Sequence, residues 1–464
     1  MEASWVSVIP PVLAVVLAFI TREAVISLAL ACLAGVLLMG QGIQGFPSLV
    51  TRSLGNEAFV WVCGIELSIG VLVAFLQRSG AVNLFTLRAG RWARNRRQVG
   101  ILAWSLGLVV FFSDYFSPLF VGPVMRDLTD KYRISREKLA YICDSTSAPL
   151  SVLVPISAWA AYLAGLAIGS AGIENKEAAI DLFLRSVPLN FYSLLSVVAV
   201  FLMASEILPD FGPMRAAQER ARETGQVLRV GAVPMMGREL TDLEVSTAGK
   251  TSLVLNFLVP VLLIVVTNVV TFAVNGTGKV LEGFMLGAAS AGLILWLQKV
   301  DDWNGIMRTV YAGMKGVIPA VLILALAYCI NTVSKEMHTA EFIVEVTRDW
   351  MSPSLLPAVL FLISAIVSFA TGTSWGTYAI MVPIALPLAF QASGGQMNIL
   401  VLGSFAAVAG GGVFGDHCSP LSDTTVLSSL GSASDHMDHV RTQLPYALVV
   451  ASVAVVMYLF IGFI

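Results

Sequence analysis

Apolar runs long enough to cross a bilayer recur from Val6 almost to Ile464, and few folds can absorb them. Only 12% of the residues are charged and 57% are hydrophobic, whereas a soluble chain is nearer to about a quarter charged. A large soluble core would need long polar loops and alternating strand patterns, and neither is present. Backbone in lipid has to satisfy its own hydrogen bonds, so the expected fold class is an all-α polytopic membrane protein. The net charge of −2 says little about partners. The lipid bilayer is the expected surrounding, and nothing in the chain calls for nucleic acid. The opening stretch MEASWVSVIPPVLAVVLAFITR has no basic n-region and no small-residue cleavage site, so its apolar run reads as a first span. The five cysteines lie in or beside apolar runs and read as packing residues.

Spans are expected at Val6 to Ile20, Val25 to Gly40 and Ala58 to Leu76, the last carrying Glu66. Arg78, Arg88, Arg91, Arg94, Arg96 and Arg97 then face no acid in the sequence. They form the strongest signal for a cytoplasmic loop. Further on, a long polar stretch, residues 205–250, divides the chain into 1–204 and 251–464, each read as one transmembrane half. A short surface helix is expected within it at Met214 to Gln226. The full count is about ten to thirteen membrane segments.

Four of these segments are interrupted by polar residues, and they fall in the same order in each half. SDYFSPLFVGPVM (Ser113 to Met125) precedes CDSTSAPLSVLVP (Cys143 to Pro155). TGTSWGTYAIMVPIALP (Thr371 to Pro387) precedes GDHCSPLSDTTVL (Gly415 to Leu427). Pro149-Leu150-Ser151 aligns with Pro420-Leu421-Ser422, and Asp144 falls one place off Asp416. Matching broken segments in two halves are the mark of transporter repeats whose site lies where they meet.

Backbone that stops being helical in a membrane presents free N–H groups to anions or free carbonyls to cations. Nearby hydroxyl and carboxylate oxygens complete the shell of a hard cation. Asp144, Ser145, Thr146, Ser147, Asp416, Ser419, Ser422, Asp423 and Thr424 supply those oxygens as the cation- or proton-binding candidates. Glu66, Asp114, Thr371, Thr373 and Ser374 are further candidates to line the cavity. Asp114, Asp144, Asp416 and Asp423 can each instead cap a broken helix, and Glu66 can instead lie near a headgroup. An acid inside a membrane can hold either a proton or a cation, and that competition suffices for exchange.

His417 and Cys418 invite a zinc reading, but no Cys/His spacing pattern accompanies them, so no bound metal is expected. ASDHMDH (Ala433 to His439) reads as a solvated loop. Trp375 and Tyr378 read as packing or interfacial anchors before cavity lining. No phosphate-binding loop is present, so an ion gradient is the expected energy source.

The eleven residues GDHCSPLSDTT (Gly415 to Thr425) closely resemble the signature of the NhaC family of sodium/proton antiporters. LSIGVLVAFLQRSGA (Leu67 to Ala81), FSDYFSPL, CDSTSAPLSVLVPIS and FATGTSWGTYAIMVPIA extend the resemblance. It implies a secondary transporter with two inverted repeats, broken helices and re-entrant helical hairpins. It also implies a moving transport domain and a dimerising scaffold, so a homodimer is an expectation. The family motif falls on Asp416, Ser419, Ser422, Asp423 and Thr424, and its first-half counterpart on Asp144, Ser145, Thr146 and Ser147. The implied activity is exchange of Na+ or Li+ for H+ across the inner (cytoplasmic) membrane, with no cofactor beyond the transported ions and no enzymatic role. Similar proteins exchange malate for lactate or handle amino acids, so coupled exchange of small organic anions or amino acids is the alternative. An intramembrane hydrolase using Asp144 with Asp416 or Asp423 is the remote one.

Overall fold

The computed structural model describes residues 4–463 apart from 112–113, 156, 171, 238, 240–242, 247–250, 276–277 and 348–351. Helices dominate it. The first are α1 (Ile9–Thr21), α2 (Ala24–Leu38), α3 (Gly45–Leu54), α4 (Glu57–Arg78) and α5 (Ala81–Trp92). Then come α6 (Arg96–Val109), α7 (Phe116–Lys131), α8 (Arg136–Ser145), α9 (Ala148–Ser151), α10 (Ala158–Ala167), α11 (Lys176–Ser186) and α12 (Phe191–Ala204). Helix α13 (Gly212–Thr224) lies in the polar stretch, and α14 (Val259–Asn275), α15 (Val280–Leu297), α16 (Trp303–Glu336) and α17 (Thr339–Thr347) follow it. The chain ends with α18 (Leu356–Thr371), α19 (Ser374–Ala392), α20 (Ile399–Cys418), α21 (Asp423–Ser432) and α22 (His436–Phe463).

Among the described residues, seven helices are long and apolar enough to cross a membrane, and one bent pair makes an eighth. Three shorter apolar helices add to these. The apolar side chains turned outward, such as Leu262, Val266, Val269 and Val270 on α14, suit a lipid-facing surface. The chain is an all-α polytopic membrane protein.

Two large apolar clusters organise the bundle. One gathers α1 to α4 with α14 to α16. The other gathers α10 to α12 with α18 to α20 and α22. The short helix α21 adds Val426, Leu427 and Leu430 to the first of them and packs on α7 and α8. Glycine makes that approach close. A Cβ on Gly431 would stand 2.2 Å from the Pro118 carbonyl oxygen, and one on Gly122 would stand 2.3 Å from the Gly431 carbonyl carbon. Both distances lie inside van der Waals contact, so neither position has room for a side chain. The second broken segment of one half is thereby pressed against the first broken segment of the other.

The basic stretch departs from the sequence reading. Arg78 is not unpaired: its guanidinium grips Asp301 at 2.7 and 2.9 Å, and Arg96 lies 3.8 Å from Glu206. Both acids come from distant parts of the chain, which a local charge count does not see. Residues 81–92 of that stretch are helical.

The polar stretch carries the expected helix, α13, entered through Pro213 and closed by Gly225 in the left-handed conformation at φ 75°. Met214, Ala217, Gln218 and Ala221 form its buried face, at the spacing of one helical stripe. Its neighbours in the chain are tied to the bundle. Asp210 holds Lys138 at 2.9 Å, Arg220 holds Glu137 at 2.9 Å and Arg229 holds Asp438 at 2.9 Å. The Val233 N–H donates to Asp435 at 2.8 Å. Residues 229–235 therefore strap across the beginning of α22.

Gly431→Val is expected to lower the unfolding free energy by about 1–3 kcal/mol, the cost of overpacking a filled interface. A thermal-unfolding midpoint equal to that of the wild type would contradict the packing described for α7 and α21.

Candidate functional site

The site begins with a proline. Pro420 has no N–H to continue a helix, and it pushes Ser419 into an extended conformation, φ −77° and ψ 137°. Helix α20 therefore stops at Cys418, and α21 restarts at Asp423. Carbonyls freed by the break are taken by hydroxyls of the same motif. The Asp416 carbonyl accepts from Thr425 Oγ1 at 3.0 Å and from Thr424 Oγ1 at 3.3 Å. Ser419 Oγ donates to the Phe369 carbonyl at 2.8 Å, joining the break to α18.

The Asp416 carboxylate connects two breaks. Its Oδ1 accepts from Ser422 Oγ at 2.5 Å, with Thr424 Oγ1 at 3.5 Å, and its Oδ2 accepts from Ser374 Oγ. Ser374 is the first residue of α19, so the carboxylate sits at the positive end of that helix. The α18–α19 break rests on Gly372, left-handed at φ 70°, whose Cβ position is 2.5 Å from the Leu421 carbonyl oxygen. Only glycine fits there. The two broken segments of the second half thus touch through backbone as well as through Asp416.

Asp423 is placed differently. Its Oδ2 accepts from Tyr115 Oη at 2.8 Å and its Oδ1 from the Thr424 N–H at 2.8 Å. It lines a cavity of about 790 Å³ with Tyr115, Trp61, Tyr328, Thr371 and Thr373. Lys335 and Arg52 stand on the wall of the same cavity. Arg52 is paired with Glu336 at 3.1 Å, while Lys335 has no acidic partner among the described residues. Thr371 Oγ1 is turned back onto the Val367 carbonyl at 2.8 Å.

The first-half motif does not form a single oxygen shell with these groups. Thr146 Oγ1 bonds the Ile142 carbonyl at 2.8 Å and Ser147 Oγ the Asp144 carbonyl at 2.6 Å, both within their own turn. Ser145 Oγ meets His417 Nε2 at 2.8 Å, and Tyr192 Oη meets His417 Nδ1 at 2.9 Å. Both nitrogens of His417 are therefore occupied, and it links α8, α12 and α20. Cys418 Sγ is directed at the Phe414 carbonyl at 3.0 Å. Asp144 Oδ2 accepts from Gln443 Nε2 at 2.9 Å, whereas its Oδ1 has no hydrogen-bond partner.

Asp114 accepts from Trp159 Nε1 at 2.9 Å and is buried, within electrostatic reach of Asp416 and Asp423. Ser113, part of the same expected break, lies outside the described residues. Glu66 on α4 is 0% exposed with neither carboxylate oxygen bonded, and it lies within electrostatic reach of Asp423. It is inside the protein, not at a headgroup.

Several participants were not singled out by sequence reasoning: Tyr115, Trp159, Tyr192, Lys335 and Gln443. The ASDHMDH stretch reverses its expectation. His436 and His439 are buried at 3% and 0% exposure, and they open α22 instead of forming a solvated loop. His436, His439 and Gln443 recur at helical spacing on one face, a signal that the sequence did carry. Trp375 lines the cavity and packs on Trp159 with ring centroids 4.1 Å apart, while Tyr378 is buried with its hydroxyl on the Ala409 carbonyl at 2.7 Å.

Residues 152–463 match the profile of the Na+/H+ antiporter family, two thirds of the chain. The chain belongs to the Na+/H+ antiporter family. An uncharacterized protein of Haemophilus influenzae is 33% identical over 491 aligned residues, covering 98% of this chain and 91% of that protein. The arginine/ornithine antiporter ArcD of Halobacterium salinarum is 29% identical over 180 residues, 38% of this chain and 35% of that one. The Na+/H+ antiporter NhaC of Alkalihalophilus pseudofirmus is 29% identical over 160 residues, 34% of each chain. These last two similarities span only about a third of each relative. The Na+/H+ antiporter family is a transporter family and not an enzyme family, and the hydrolase alternative falls with that assignment. Its members are membrane transporters, and transported ions are their substrates.

Because Asp416 carries the hydroxyls of two breaks, Asp416→Ala is expected to cost about 1–3 kcal/mol of stability, the penalty for buried polar groups left without a partner. Asp423→Ala, which faces the cavity, is expected to cost less. Equal losses in chemical unfolding of the two variants would contradict the division of roles.

Proposed function

We propose that this antiporter exchanges Na+, and Li+ in its place, for H+ across the cytoplasmic membrane. The observation that carries the reading is the placement of Asp423: a carboxylate at a cavity inside the bundle, with no Lys or Arg within ion-pair distance among the described residues. A charge in such surroundings is costly unless something neutralises it. A proton or a small cation does so, and only one of them at a time. Asp423 is assigned the exchanging group. Asp416 with Ser374, Ser419, Ser422 and Thr424 is assigned the rigid support that orients it, and Thr373 and Thr371 the approach. Desolvating Na+ needs compensating oxygens, and the carboxylate, hydroxyl and freed carbonyl oxygens of this motif are of the required hard type. Residues 1–204 and 251–464 are read as the two transporting halves and 205–250 as the linker between them.

A second reading has its own support. A cavity of about 790 Å³ is far larger than one ion needs, and it falls in the range that takes small organic ligands, about 300–1,000 Å³. Lys335 on its wall offers a carboxylate partner that the motif itself lacks. Coupled exchange of an amino acid or organic anion would use Lys335 for the carboxylate and Asp423 for the coupling ion. Uptake of labelled amino acids and dicarboxylates into proteoliposomes, lost in Lys335→Ala, is its expected signature.

For Na+/H+ exchange, everted vesicles holding an imposed pH gradient are expected to lose it when Na+ or Li+ is added, and Asp423→Asn vesicles to keep it. No response from folded wild-type protein between neutral and alkaline pH would contradict the proposal.

A further inference from the structure

Outside the lining of the Asp423 cavity lies a second set of buried polar groups that the proposed exchange does not use. It consists of His436 and His439 at the start of α22, Ser429 on α21 and Asp144 on α8. Ser429, His439 and Asp144 are each 0% exposed. Their hydrogen bonds can be counted.

His436 Nε2 lies 3.0 Å from the Pro420 carbonyl, which can only accept. That nitrogen therefore carries a hydrogen. The Gln443 amide is oriented by two acceptors, the Asp144 carboxylate at 2.9 Å and the His417 carbonyl, both met by Nε2. Its oxygen consequently faces His439 Nε2 at 2.6 Å, so that nitrogen too carries a hydrogen. A neutral imidazole protonated on Nε2 has a bare, accepting Nδ1. Both Nδ1 atoms meet the same hydroxyl: Ser429 Oγ is 3.1 Å from that of His436 and 2.9 Å from that of His439.

One hydroxyl has one hydrogen. It cannot serve two bare nitrogens, and it has the Thr425 carbonyl at 2.9 Å as a further acceptor. With both rings neutral, at least one nitrogen lone pair faces an oxygen lone pair inside the protein. A single added proton removes the conflict. On either Nδ1 it donates to Ser429 Oγ, and the hydroxyl hydrogen turns to the other ring. A buried imidazolium needs a counter-charge. Asp144 Oδ2 lies 3.7 Å from His439 Nε2, and Asp144 Oδ1 is unbonded.

We infer that His436, Ser429 and His439 bind one proton between two imidazole rings, with Asp144 as its counter-charge, as a proton site separate from the Asp423 cavity. Asp416 and Asp423 act on Asp144 from α20 and α21, and the Tyr141 and Tyr192 hydroxyls and the Cys143 and Cys418 thiols also lie near it. His417 faces the two rings from the end of α20 and Asp435 from the turn before α22. Asp438 on α22 is neutralised by Arg229 of the strap, with Glu137 of α8 near it and paired to Arg220. The His417 ring is held by Ser145 and Tyr192, and only its carbonyl enters the count, as an acceptor for Gln443. The strap at residues 229–235 covers the site, through the Val233 N–H on Asp435 and the Met235 N–H on the Ser434 carbonyl. This deepens the Na+/H+ reading by giving the proton a place of its own, yet the site is defined without reference to Na+.

The test is nitrogen NMR of the full-length protein labelled at its histidines, of which the chain has four. His338→Gln and His417→Gln assign the two signals that do not belong to the pair. At neutral pH, one of the His436 and His439 rings is expected to show both nitrogens protonated, and the other Nε2 alone. In Asp144→Asn the doubly protonated ring is expected to disappear. Two neutral rings in the wild type would overturn the inference, whether or not the Asp144 variant folds. A doubly protonated ring that survives Asp144→Asn would overturn the role given to Asp144. Since no transport is measured, a protein that moves no Na+ would refute the exchange reading while leaving this result intact.

Discussion

The structure depends on one constraint: a helix broken inside a membrane must find partners for the backbone groups it releases. At Pro420 the helix breaks, and nearby hydroxyls meet the cost. Thr424 and Thr425 take the Asp416 carbonyl, Ser419 takes the Phe369 carbonyl, and Ser422 and Ser374 take the Asp416 carboxylate. Leaving any buried group of this kind unpaired would cost about 1–3 kcal/mol. The polar motif is thus first a structural solution, and the acid it leaves facing the cavity is Asp423. Asp416 and its hydroxyls hold the backbone on either side of the break that ends at Asp423.

Charge is then separated into two places. On one side, Asp423 meets Tyr115 and the cavity, with Glu66 of α4 unbonded and within electrostatic reach. On the other, Asp144 meets Gln443 and His439. His417, held by Ser145 and Tyr192, stands between the first-half motif and the second. Buried groups in a medium of low dielectric feel one another strongly. Under the proposed exchange, occupancy on one side would bear on occupancy on the other.

Much of this was legible in the sequence. Polar residues inside apolar runs located the breaks at 146–147, 372–373 and 419–422, although Pro123, Pro383 and Pro387 of the same motifs lie inside continuous helices. The helix in the polar stretch was expected at Met214 to Gln226, two residues from its observed bound at each end. The directions of the side chains did not show. Thr146, Ser147 and Thr371 are the residue types expected of ion ligands, yet they bond their own helices. Hydroxyls do both, and only coordinates distinguish the two. Partners distant in sequence were equally hidden: Asp301 for Arg78, Gln443 for Asp144, and Lys335 for the cavity above Asp423. ASDHMDH read as a solvated loop because five polar residues in seven usually are one. Strap residues 229–235 cover it, and nothing local announces that contact.

In the proposed exchange a proton and a cation compete for the same buried carboxylate. The direct measurement is proton release by purified protein in weakly buffered detergent solution when Na+ is added at constant ionic strength. The expected result is a release of protons that saturates with Na+, is reproduced by Li+ and is absent from Asp423→Asn. Na+ binding with no proton released, or the same release from Asp423→Asn, would contradict it.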